Sequence, residues 1–191
     1  HQWYTVQGGS VEYVRRLEAR MLAKGVDIRL KAPISSVARQ NGQVTVVPKE
    51  GVAETFDEVI FATHSDDTLA LLSDARGYEK DLLGAISYQP NEVVLHCDAS
   101  VMPRSRKCWS SWVYTERSVQ APQQLDLTYW MNSLQPIPKN DPLFVTLNST
   151  HSIRDELIYN QTTFRHPVYD AKALHAQKLI KKRNGENNTW Y

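Results

Sequence analysis

The eight glycines of the chain stand at positions 8, 9, 25, 42, 51, 77, 84 and 185, and no two of them are separated by a single residue. The fingerprint G-x-G-x-x-G therefore cannot be written, and the pattern G-x-x-x-x-G-K-[ST] is missing as well. Neither of the usual backbone cradles for a pyrophosphate is present, so a nucleotide would have its phosphates held by residues outside this sequence. Cysteine is scarcer still. Cys97 and Cys108 are too few for a disulfide framework in 191 residues, which points to a reducing compartment, with the cytoplasm as the expected location. Long apolar runs are absent too: Val59-Ile60-Phe61-Ala62 and Leu69-Ala70-Leu71-Leu72 fall far short of the roughly 18 residues of a membrane-spanning helix. An excess of either charge is lacking, with 22 Lys+Arg against 21 Asp+Glu and a net charge of +1. A phosphate-tracking surface normally carries a basic excess, so nucleic acid is not expected as a partner. The first residues, His1-Gln2-Trp3-Tyr4, offer neither a basic nor an apolar targeting region and no initiating Met, which reads as a processed chain or a piece of a longer one.

What is present is a folded composition, 41% hydrophobic and 23% charged, without low-complexity tracts or internal repeats. Val11, Val14, Leu17, Met21 and Leu22 recur at helical spacing over residues 10–24, with Ser10 as the cap and Gly25 as the stop. Val26, Ile28 and Leu30 alternate with charged residues and predict a half-buried strand. Residues 34–39 and 43–47 flank Asn41-Gly42, the signature of a tight hairpin. Residues 56–63 read as a strand buried on both faces, and helices follow at 66–73 and 78–83. Strands are then predicted at 92–98, 108–115, 125–132, 143–149 and 156–165, with prolines in their connections, which indicates an antiparallel sheet. Asp170 can cap a helix over 171–183, and Thr189-Trp190-Tyr191 begins one more strand. The fold class is α+β, divided into residues 1–88, a sheet domain at 89–168, and a segment at 169–191 that returns to the first part.

Candidate sites follow from position. Gly8-Gly9-Ser10 at a helix start can present backbone N–H groups to an anion, or can simply make the turn into the helix. Ala62-Thr63-His64 ends a strand just before a helix, where open α/β sheets collect ligands, and His64 can titrate near neutrality or be an ordinary loop histidine. Trp109, Trp112, Tyr114, Tyr129 and Trp130 lie on two predicted strands, and side chains two apart share a face. Such a face is either core packing or the floor of a cavity for a substrate with an apolar group. A metal is not expected, since His96, Cys97, Asp98 and Cys108 lack ligand spacing, and no G-x-S-x-G elbow supports a serine hydrolase. The basic loop Arg104, Arg106, Lys107 is either a solvated turn or a contact for an anionic substrate or lipid headgroup at a membrane periphery.

Three segments in order, Thr5-Val6-Gln7-Gly8-Gly9-Ser10, the hairpin region 28–47 and Phe56-Asp57-Glu58-Val59-Ile60-Phe61-Ala62-Thr63, resemble the middle of a flavin-containing amine oxidase or phytoene-desaturase type oxidoreductase. Ala62-Thr63-His64-Ser65-Asp66, Tyr129-Trp130-Met131-Asn132, Phe144-Val145-Thr146-Leu147-Asn148 and His166-Pro167-Val168 are similar to bacterial NAD/FAD-binding amine oxidoreductases. The resemblance implies part of an FAD/NAD(P)-binding α/β domain plus an antiparallel-sheet substrate domain. It implies FAD as cofactor, contacted by Gly8, Gly9, the main chain of Ile34, and Ala62, Thr63 and His64. Trp112, Tyr114, Tyr129 and Trp130 would then floor the substrate cavity. The flavin accepts the hydride while the protein orients the substrate and excludes water, so the catalytic residues are unknown and need not include an acid or base. The substrate is an amine or an acyl or isoprenoid chain. The family's glycine-rich dinucleotide unit and its C-terminal flavin segment are not in the sequence, so the chain reads as an interior fragment that retains no FAD by itself. The competing reading is a self-contained α+β binding module without activity. The two differ in one observable: a fragment leaves apolar residues of the 1–88 region uncovered, or covers them by homodimerisation, and a complete module does not.

Overall fold

The computed structural model describes residues 4–116 and 125–191. Along them run α1 (Ser10–Ala23), β1 (Ile34–Gln40), β2 (Gln43–Pro48), β3 (Glu54–Phe56), β4 (Val59–Ile60), α2 (Ser65–Leu71), α3 (Gly77–Leu83), β5 (Tyr88–His96), β6 (Trp112–Glu116), β7 (Leu125–Trp130), α4 (Met131–Leu134), β8 (Phe144–Leu147), β9 (Ile158–Pro167), α5 (Ala171–Arg183) and β10 (Thr189–Trp190). Helices with antiparallel and parallel sheets make this an α+β fold. Two compact units share the chain, one made of residues 1–28 and 90–165, the other of residues 29–89 and 166–191. The sequence division at residue 88 set α1 with the hairpin, whereas the structure groups it with the sheet. No helix among the described residues is long and apolar enough to cross a membrane.

The first unit is built on a five-stranded sheet in the order β6-β7-β8-β5-β9. The pairs β6/β7, β7/β8 and β8/β5 are antiparallel, as the proline-rich connections predict. Cross-strand rows fix the two faces. Val113, Thr128, Thr146 and Val94 form one row, with Trp130, Phe144 and His96 beside it on the same face. That face is the core, where Val94 and Phe144 pack with Val101, Met102 and Ile153 and with the half-buried Trp109 and Trp130. The strand expected at 125–132 stops at Trp130, because Asn132 turns the chain. Its amide donates to the carbonyls of Pro138 and Asp141 and accepts the N–H of Leu143, which closes α4 onto the start of β8.

In the second unit β1 and β2 form the hairpin that Asn41-Gly42 announces, with Gln40 opposite Gln43 and both turn residues at positive φ (55° and 74°). Val37, Val44, Leu72 and Leu83 make its core, with Ile34, Phe61, Ile180 and Tyr191 packed around them. Inside this apolar cluster lies one polar network. The Arg39 guanidinium forms a two-pronged pair with both oxygens of the buried Glu79 and a second contact with Asp74, and its Nη1 also reaches Thr189 (3.2 Å) and the Tyr191 hydroxyl (3.3 Å). Tyr191 in turn donates to Glu79. One arginine thus ties β1 to α3 and to the β10 end of the chain.

Three local expectations change. Residues 26–30 form no strand: they lie in no ladder, Leu30 is 80% exposed, and Lys31 at φ 55° turns the chain out of an extended path. Residues 56–63 are not one strand buried on both faces. They end β3, which pairs with β2, and contain β4, which pairs in parallel with β10 alone, leaving Ile60 75% exposed. The serines thought to cap α1 and α2 sit inside the helices, with Gly9 and His64 at the cap positions. Asp170, by contrast, caps α5 as expected, accepting the N–H of Ala173 at 2.8 Å.

Candidate functional site

Two surfaces, one in each unit, carry some of the residues singled out by the sequence. On the sheet of the first unit, the face opposite the core bears two complete rows of apolar side chains. Trp112, Tyr129, Val145 and Leu95 form one, and Tyr114, Leu127, Leu147 and Val93 the other. Trp112 is 41% and Tyr114 62% exposed, and all the others except Val93 are half-buried. Alternation along each strand puts these eight residues on one face by geometry alone. Trp112, Tyr114 and Tyr129 therefore share a surface. Trp130 does not: it lies on the core face with its ring edge-on to Trp109 at 5.3 Å.

The core face carries polar groups that are held rather than offered. His96 is fully buried, its Nδ1 accepting the N–H of Asp98 and its Nε2 2.7 Å from the Thr146 hydroxyl, which lies 2.9 Å from that of Thr128. The Asp98 carboxylate binds Arg154 and the N–H of Ser100, and these contacts hold it well below the ordinary carboxylate range. Asp126, also buried, accepts from Thr150 through both its N–H and its hydroxyl and lies 2.9 Å from His151 Nδ1. Its burial raises the pKa, but these donors outweigh burial and leave it lowered.

Gly8 and Gly9 belong to this first unit and both have positive φ (88° and 85°). A Cβ on Gly9 would meet Gln135 Oε1 at 2.7 Å and Pro136 Cδ at 3.1 Å. The same Oε1 accepts the N–H of Ser10 at 3.3 Å, and the Gly9 N–H is taken by the carbonyl of Val6. The chain's own glutamine thus fills the cradle at the start of α1. The Gly9 and Ser10 N–H groups that the sequence offers to an anion or a flavin edge are accepted within the chain.

In the second unit a groove of about 690 Å³ runs past the end of β4. Phe61, Thr63 and Ser65 line it from just beyond β4 and the start of α2, Leu83, Ile86 and Tyr88 from the end of α3, its connection to β5 and the start of β5, and Gln177, Lys178, Ile180 and Lys181 from α5, with Asn184 and Tyr191 beyond. Thr63 is therefore at the groove, three residues beyond the end of β4. His64 stands beside it, its ring stacked on Tyr88 at 4.2 Å, and its buried Nδ1 makes no hydrogen bond. Ala62 is exposed, and Ile34 is half-buried at the start of β1, packed on the core. The ligating atoms of His64, Asp66 and Asp67 come within 4.8 Å of one another, an arrangement that exposed acids adopt commonly and that carries no argument for a metal by itself.

No family model matches the chain, and neither does any curated protein. Among solved structures, the crystal structure of a CLA-producing fatty acid isomerase from P. acnes matches over 84% of the chain at 15% identity, with a TM-score of 0.52. The chain spans 41% of the length of that protein. At this identity the likeness is one of fold.

Sequence reasoning missed Lys178, Lys181, Ile180 and Tyr191 as residues of one groove. The only local signal was the spacing on α5, which puts Lys178 and Lys181 one turn apart. The facing wall comes from residues 61–88, 90 or more residues before Lys178 in sequence, which no periodicity reports.

Proposed function

We propose that this polypeptide supplies the substrate sheet and part of the cofactor-side unit of a flavin-dependent oxidoreductase of amine-oxidase-like architecture, acting on a substrate with a large apolar part. The open sheet face of Trp112, Tyr114 and Tyr129 carries the proposal. An aromatic and aliphatic face two rows deep is suited to an alkyl or isoprenoid chain and gives a small polar amine little to bind. The sequence resemblance supplies the flavin, and the fold likeness to a fatty acid isomerase agrees with an acyl-type substrate. Bound FAD would supply the hydride acceptor. The residues of this chain would then align the apolar substrate and keep water from it, while the phosphates of the cofactor would be held elsewhere.

The uncovered apolar side chains of residues 1–88 support the same reading. None of the residues of α1 is buried, and Val11, Tyr13, Val14, Leu17 and Leu22 are exposed on it, as are Phe56 and Ile60 on β3 and β4. A self-contained module would bury most of that surface.

The test is the visible absorption of the purified product of the complete gene, with the 191-residue chain as control. An oxidised flavin spectrum in the former, bleached anaerobically by a long-chain substrate and not by short amines, is the expected result. A colourless protein that takes up no added FAD would overturn the proposal.

A further inference from the structure

The groove of the second unit offers a ligand an apolar floor and a rim of one charge. Its floor is apolar, with Leu83, Ile86 and Ile180 beside the stacked rings of Phe61 and Tyr191, whose centroids are 6.2 Å apart. Its charge is of one sign: Lys178 and Lys181 are on the rim, and none of its lining residues is Asp or Glu. Residues three apart on a helix are neighbours on its surface, so the two ammonium groups can converge on one anion.

The hydroxyl groups that line the groove are already engaged within the protein. The Thr68 hydroxyl donates to the carbonyl of His64 at 3.0 Å, so the Thr63 hydroxyl, 2.7 Å from it, is the donor of that second pair. Ser65 donates its hydroxyl to the Leu83 carbonyl at 2.9 Å, and Tyr88 donates to Ser65 Oγ at 3.2 Å. The hydroxyl of Tyr191 is spent on Glu79. A sugar or a heterocyclic base finds no donor among these hydroxyls and has only the side-chain amides of Gln177 and Asn184 as neutral partners, so each polar group it sets against the hydroxyl wall is left unpaired at a cost of about 1–3 kcal/mol. A hydrocarbon chain loses nothing there.

We propose that this groove binds a single-chain anionic amphiphile, in its simplest form a long-chain carboxylate, with the chain along the Phe61–Ile180 floor and the head between Lys178 and Lys181. The site is distinct from the sheet face of the first unit and does not rest on the flavin reading, since it requires no cofactor.

Calorimetric titration of the purified protein with monomeric decanoate tests it. One saturable site is expected, weakened by added salt as an exposed ion pair is. The double variant Lys178→Gln/Lys181→Gln should lose about fivefold in affinity for decanoate, the scale of two solvent-exposed ion pairs, and none for decanol. Both lysines are exposed, so the fold is not at risk, and Lys178→Arg/Lys181→Arg should restore the affinity. The proposal is overturned by the absence of saturable decanoate binding, by an unchanged affinity in the glutamine variant, or by tighter binding of adenosine monophosphate than of decanoate. Association with phosphatidylglycerol vesicles without binding of monomeric decanoate would overturn it equally, assigning the lysines to a membrane surface.

Discussion

His96 carries no proton on Nδ1, because that atom accepts the backbone N–H of Asp98 at 3.1 Å. The proton of the neutral ring is therefore on Nε2, which donates to Thr146 Oγ1, and the Thr146 and Thr128 hydroxyls pair at 2.9 Å. A second proton would set two donors against each other at Nδ1 inside a fully buried site. Burial accordingly pushes the His96 pKa down from its ordinary 6.5, the opposing pull of Asp98 being smaller. A histidine with a lowered folded-state pKa stabilises the fold above its unfolded value, and the unfolded chain binds more protons below it. Stability should thus be level above about pH 6.5 and fall as pH drops below it. Urea midpoints measured from about pH 8 to about pH 5 should show this slope, and His96→Gln should flatten it even where it lowers the midpoint itself. Glu79 titrates in a separate, more acidic window. Burial alone would raise its pKa, but Arg39, the Arg76 N–H and the Tyr191 hydroxyl hold it at about 2. Its contribution is present above the ordinary 4.5 and is lost as pH falls toward about 2.

At the scale of the element, the features legible in the sequence are those decided within a few residues. Asn41-Gly42 fixes the β1–β2 turn because both positions require positive φ, and Asp170 fixes the start of α5 because its carboxylate reaches an N–H three residues on. Replacing Asp170 by Ala should cost about 1 kcal/mol in urea denaturation, with Asp170→Asn losing much less, because the cap needs an acceptor and not a charge. What the sequence could not show depends on a distant partner. Residues 26–30 alternate like a strand, yet alternation makes a strand only where another backbone is available, and none pairs with them among the described residues. The same holds for the sheet face. Placing Trp112 and Tyr114 together needed only the period of two, but setting Tyr129 beside them, and Trp130 behind, needed the register Trp112↔Tyr129. Lys178 and Lys181 stayed invisible as site residues because their floor is assembled from β4, α3 and the end of the chain.

For the molecule as a whole, the two units differ in how much of their apolar surface is used. The hairpin core is closed, with Val44 wholly buried, whereas none of the residues of α1 is buried. Helix propensity alone gives a 14-residue helix little independent stability, so α1 should be held mainly by its N-terminal end, near Gly9 and Gln135, and should exchange its amide hydrogens early. Two substitutions separate an open face from a covered one. Val14→Asp and Leu17→Asp, made on the face that is about half exposed, should change the unfolding free energy by no more than about 0.5 kcal/mol. Both should reduce the binding of a hydrophobic dye to the native protein. Val44→Asp, which buries a carboxylate in a closed core, should abolish folding instead. A loss of several kcal/mol from Leu17→Asp in the isolated chain would mean that the face is already covered, by a second copy of the chain, and a concentration-dependent midpoint would then identify that copy. If the loss is small, the apolar stripe of α1 is open in this chain, which is what the flavoprotein reading, with further segments of the same protein to cover it, requires and a self-contained module does not.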